Sequence, residues 1–83
     1  MTTTNAAAAE ALAYLETQGF TRTGARLYGH PCGHAPVDVV DDQAACFTVY
    51  AFTRDRARLL LWDVRLTNAP LAVFAAAITA ATA

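Results

Sequence analysis

Residues 46–66 read CFTVYAFTRDRARLLLWDVRL, running from Cys46 to Leu66. Two runs rich in aromatic and β-branched residues, 46–53 and 58–66, flank the polar tetrad Arg54-Asp55-Arg56-Ala57. Such runs read as strands, and a four-residue connection between them reads as a hairpin. That loop length pairs Thr53 with Arg58 and Val49 with Trp62. Phe47, Val49 and Ala51 then share a face with Leu60, Trp62 and Val64, and this is the expected core face. The opposite face carries Tyr50, Phe52, Leu59 and Leu61 near the hairpin tip, with Asp63 and Arg65 further along. A slip of one residue would exchange the two faces.

Working outward, Val37 to Val40 forms a short strand ended by Asp41-Asp42. Residues 21–29 alternate: Thr23, Ala25 and Leu27 on one side, Arg22, Arg26 and Tyr28 on the other. This reads as one further strand. Upstream, Asn5 can cap a helix that runs through Gln18, with Ala8, Leu12 and Leu15 at helical spacing. Gly19 then stands where a C′ glycine belongs, followed by Phe20. At the other end Thr67 or Asn68 caps a last helix with Pro70 in its first turn. Leu71, Phe74, Ala75 and Ile78 form its buried stripe. Ala72, Val73, Ala76, Ala77 and Ala80 line its back, and no charge occurs from residue 69 to 83. The element order is α-β-β-(β)-β-α. This is an α+β class, an antiparallel sheet with both helices expected on one face. One domain spans 1–83, with residues 1–4 frayed.

Composition narrows the function. The chain is 55% hydrophobic and 16% charged, against roughly 25% charged in an average domain. It is short of charge to cover its outside, so apolar surface is left for a partner. The net charge of −1 argues against a general electrostatic grip on nucleic acid or acidic lipid. All six basic residues are arginine, the composition of a high-GC genome such as an actinobacterium, its phages or its plasmids. Two cysteines and no secretory leader pattern point to a reducing cytoplasm. The apolar run 69–78 is about half of the ~20 residues that a membrane span needs.

The segment Gly29-His30-Pro31-Cys32-Gly33-His34-Ala35-Pro36 holds both histidines. His30, Cys32 and His34 alternate and could converge, and Cys46 could complete an N2S2 set for zinc. The spacing matches no common finger pattern, and Pro31, Gly33 and Pro36 read equally as turn residues. A Cys32–Cys46 disulfide is a further alternative. No nucleophile–base pairing emerges from spacing, so no catalytic residue is assigned and the chain is read as non-enzymatic. Arg22, Arg26, Arg54, Arg56 and Arg58 could serve a nucleic-acid ribbon, with Tyr50 and Phe52 for stacking. The net charge favours reading them as solvated arginines paired with Asp55 or Asp63. The leading reading is a protein-interaction module, a homodimer or a small subunit on a larger protein. Its contact residues are Tyr50, Phe52, Leu59, Leu61, Val73 and Ala77. No cofactor is expected, zinc being the alternative.

Trp62-Asp63-Val64-Arg65-Leu66-Thr67-Asn68-Ala69-Pro70, followed by Phe74-Ala75-Ala76-Ala77-Ile78, resembles a pattern in actinobacterial domains of unknown function. A tryptophan strand there leads through a capped turn to a proline-started, alanine-rich helix. The resemblance covers about 22 residues, is one residue short before Pro70, and implies local structure only. The N-terminal half, with Gln18-Gly19-Phe20 and His30-Pro31, is similar to HicA-type toxins. Their Gly-Ser-His signature would fall at Gly24-Ala25-Arg26, so the catalytic histidine has no counterpart. The element order also resembles the double-stranded-RNA-binding domain, whose lysine-rich helix start is uncharged here. Both are likenesses of fold.

Overall fold

A computed structural model describes residues 6–29 and 36–82 of the chain. The expected frayed segment 1–4, the Asn5 cap, His30, Cys32 and His34 lie outside the described residues. Helix α1 (Ala6–Thr17) is followed by strands β1 (Thr21–Arg22), β2 (Leu27–Gly29), β3 (Val37–Gln43), β4 (Cys46–Phe52) and β5 (Leu60–Thr67), then helix α2 (Leu71–Thr82). The strands form one antiparallel sheet in the order β1-β2-β3-β4-β5. The class is α+β.

Helix α1 stops as its sequence dictates. The Phe20 amide donates to the Leu15 carbonyl and the Gly19 amide to that of Glu16, the paired bonds of a Schellman cap. Gly19 has φ 84°, which glycine adopts without a Cβ penalty. Phe20 closes the cap by burying its ring.

Residues 21–29 do not form one strand. β1 and β2 pair with each other, Thr21 opposite Gly29 and Arg22 opposite Tyr28. The Arg22 guanidinium is the physical reason. It donates to the carbonyls of Gly24 (3.1 Å) and Ala25 (2.5 Å), while the Thr23 amide donates to Leu27. These bonds stabilise a turn that the alternation of side chains cannot reveal. β3 also runs to Gln43, three residues past the expected end. Its hairpin to β4 uses Ala44 and Ala45 in the left-handed region, φ 53° and 60°.

The β4–β5 register is two residues off the expectation: Val49 faces Val64, and Ala51 faces Trp62. The Asp55 carboxylate is responsible. It accepts from the Thr53 hydroxyl (2.8 Å) and from the amides of Ala57 and Arg58. The Leu59 amide bonds the Thr53 hydroxyl, and the Thr53 amide returns to the Leu59 carbonyl. The turn therefore closes at Thr53–Leu59, and the ladder shifts at a bulge between Ala51 and Phe52. A shift by two leaves the side chains of residues 62–67 on their expected faces, whereas the bulge pairs Leu60 with Phe52 and so carries it to the opposite face.

The core lies between that face and the helices. Val37, Val39, Phe47, Val49 and Ala51 are buried with Ala11 and Leu15 of α1 and Phe74, Ile78 and Ala81 of α2. Phe74 joins the layers: its ring meets Phe47 edge-on at 5.3 Å and Tyr14 at 6.1 Å. Helix α2 packs on β4 and β3, and α1 packs on α2. The helix does not begin at a Thr67 or Asn68 cap. Thr67 is still in β5, Asn68 turns at φ 51°, and the Pro70 carbonyl accepts the first helical bond, from Phe74. No described helix is long and apolar enough to cross a membrane.

Candidate interaction surface on the β5 edge

The two edges of the sheet differ. β1 has two residues, and its Arg22 side chain holds the adjoining turn. Short edge strands carrying charge resist pairing with another chain. β5 is the opposite edge and has eight residues with no proline. The Asn68 amide bonds the Ala45 carbonyl of the adjacent strand end. Backbone direction alternates along an antiparallel strand. Main-chain groups of residues 62, 64 and 66 therefore face β4, and those of 61, 63, 65 and 67 face the open edge.

Side chains make this edge apolar. Leu59, Leu60 and Leu61 are 62%, 51% and 62% exposed, and Trp62 is 37% exposed. Leu60 and Trp62, expected in the core, are thus on the surface. Leu60 stands opposite Phe52, away from the core face. Trp62 stands opposite Ala51 on the core face, but α2 lies over β3 and β4 and leaves that end of β5 uncovered. Only Val64 and Leu66 of β5 pack against the buried cluster. The hint in the sequence was the unbroken run Leu59-Leu60-Leu61-Trp62: a strand apolar on both faces needs cover on both.

Of the six expected contact residues, Leu59 and Leu61 are exposed on the edge and Val73 is 47% exposed on α2. Ala77 packs against the core. Tyr50 and Phe52 are half-buried and stack on each other at 6.5 Å. The Arg58 guanidinium covers the Phe52 ring at 4.2 Å and pairs with Asp38 at 2.9 Å.

The charged residues of β5 are Asp63 and Arg65. Arg65 Nε donates to Cys46 Sγ at 3.0 Å, and Thr67 Oγ1 lies 3.5 Å from the same sulfur. Thr67 and then Arg65 hold the Cys46 thiol below its ordinary pKa, against the opposing effect of burial. Cys46 is a free, buried thiol, so it is not in a disulfide. Among the described residues no group of three or more His, Cys, Asp or Glu could hold a metal ion. The remaining expected ligands, His30, Cys32 and His34, lie outside them.

Of the five expected nucleic-acid arginines, Arg22 holds its turn, Arg54 donates to the Thr82 carbonyl at the end of α2, and Arg58 pairs with Asp38. Arg26 and Arg56 are exposed. Away from β5, an open recess of about 250 Å³ is lined by Leu12, Glu16, Phe20, Arg22 and Tyr28. No family model, no curated protein and no solved structure matches this chain.

Proposed function

We propose that this protein is a non-enzymatic interaction module that acts in a reducing cytoplasm as a homodimer, its contact surface being the β5 edge and the apolar residues around it. One observation carries the reading. A long strand edge with open main-chain groups is bordered by Leu59, Leu60, Leu61 and Trp62, all exposed. Apolar area removed from water is worth roughly 25 cal/mol per Å². An open, flat, apolar edge is also a template for pairing. A partner strand satisfies both demands at once. Two-fold dimers are the commonest solution for a self-complementary surface. The arginine-dependent alternative has less support, since Arg22, Arg54 and Arg58 engage groups of the chain itself.

The test is a pair of surface changes that spare the core. Leu59→Glu with Leu61→Glu alters only exposed side chains and should leave circular dichroism unchanged while abolishing association. Asp63→Pro removes an outward-facing amide and should do the same. Association that survives both variants would refute the β5 edge as the contact.

A further inference from the structure

We propose that the strand completing β5 is the β5 of a second copy, antiparallel and centred on Val64, which joins the two sheets into one of ten strands. The inference rests on the homodimer reading and adds its register. In a two-fold pair the directly opposite residues must share a face and must agree in pointing their main-chain groups at the edge or away from it. Only registers in which one residue faces its own copy meet this condition. Centred on Trp62, the strand Leu60–Thr67 overlaps its copy over five residues, 60–64. Centred on Leu61, it overlaps over three. Centring on Asp63 or on Val64 pairs seven residues, 60–66 or 61–67.

Charge decides between those two. Centring on Asp63 sets that carboxylate directly against itself, and like charges opposite each other destabilise a ladder. Centring on Val64 sets Asp63 of each copy against Arg65 of the other, twice. Among the described residues Asp63 has no hydrogen-bond or ion-pair partner, and Arg65 uses its Nε on Cys46, leaving its terminal nitrogens to reach the carboxylate. Residues 61, 63, 65 and 67 form the hydrogen-bonded pairs, as their outward main chain requires. On the core-side face Trp62 meets Leu66 of the copy, and Val64 meets Val64. An exposed tryptophan and a half-buried leucine thereby lengthen the core across the two-fold.

The test is cysteine cross-linking in a Cys32→Ser background, comparing Trp62→Cys, Asp63→Cys and Val64→Cys under mild oxidation with the parent. A Val64 pair would be non-hydrogen-bonded, with Cα atoms about 4.5 Å apart, inside the disulfide range. The expectation is that Val64→Cys forms a covalent dimer at least tenfold faster than the other two. A second measurement guards against a misfolded variant. Asp63→Arg should raise the dimer Kd roughly tenfold by turning two attractive pairs repulsive, and adding Arg65→Asp should restore it. A dimer that cross-links best through Trp62→Cys or Asp63→Cys overturns the register and leaves the homodimer reading standing. A dimer that none of the three cross-links overturns the β5–β5 contact. A chain monomeric at all concentrations overturns both.

Discussion

Replacing Phe74 with alanine tests the fold at the residue that joins its layers. Phe74 is 2% exposed. Its ring meets Phe47 of β4 and Tyr14 of α1 edge-on. Truncation removes the transfer free energy of a benzyl group and leaves a cavity that helix and sheet can only partly collapse around. Such changes cost about 3–5 kcal/mol, a range that already includes the ring–ring contacts, each worth about 0.5–1.5 kcal/mol. An 83-residue domain has about 4–12 kcal/mol of stability in total. Phe74→Ala should therefore lose a quarter or more of it and leave a protein at the lower end of that range marginal or unfolded. Urea denaturation followed by circular dichroism reads the difference at a protein concentration held fixed, because association adds to apparent stability. A loss below about 1.5 kcal/mol would mean that α2 is not held by this ring, and the placement of the helix would be wrong.

Other perturbations probe the turns and the charges. Ala44 is exposed with φ 53°, so Ala44→Gly should raise stability by about 0.5–1 kcal/mol in the same urea assay, relief of left-handed strain exceeding the added chain entropy. Asp55 is held below its ordinary pKa of 3.8 by the Thr53 hydroxyl and the amides of Arg58 and Ala57, against desolvation. Its stabilisation is present above pH 3.8 and lost as pH falls through the lower folded value, so the melting-temperature gap to Asp55→Asn should be open at pH 7 and close as the pH is taken below that folded value. The Cys46 thiol is likewise held below 9.0 by Thr67 and Arg65. Its contribution should grow as pH rises through the folded value and be complete above 9.0, widening the gap to Cys46→Ala; a gap that narrows would contradict the Arg65–Cys46 contact. Arg54 donates to the last described carbonyl of α2, and a cation there is worth about 0.3–1 kcal/mol, so Arg54→Ala should lower stability by that amount and fray the helix end in hydrogen exchange.

The sequence states which face of each long strand is buried far better than where the strands stop. Phe47, Val49 and Ala51 alternate with polar or aromatic neighbours, and all three are buried although the Asp55 turn displaces β5 by two residues. Both helices are legible for the same reason: apolar spacing, the Gly19 cap and Pro70 act locally. The turns are hidden because their determinants are side chains bonding main chain two or three residues away, which the alternation of side chains does not register. Nothing in the alternation at 21–29 says that the Arg22 guanidinium will bond the carbonyls of Gly24 and Ala25. Nothing in Gln43-Ala44-Ala45 carries the glycine or asparagine that a left-handed hairpin usually needs. Leu60 and Trp62 are a failure of another kind. Trp62 lies on its expected face, but α2 lies over β4 and β3 and leaves that end of the last strand bare, while the bulge carries Leu60 to the opposite face. That uncovered end became the candidate site.

Sedimentation of the unmodified protein, from about 1 to 200 μM, tests the central claim most directly. The β5-edge account predicts a species of twice 8.8 kDa that dissociates on dilution and is lost in Leu59→Glu with Leu61→Glu. A single species of 8.8 kDa across the whole range would contradict it.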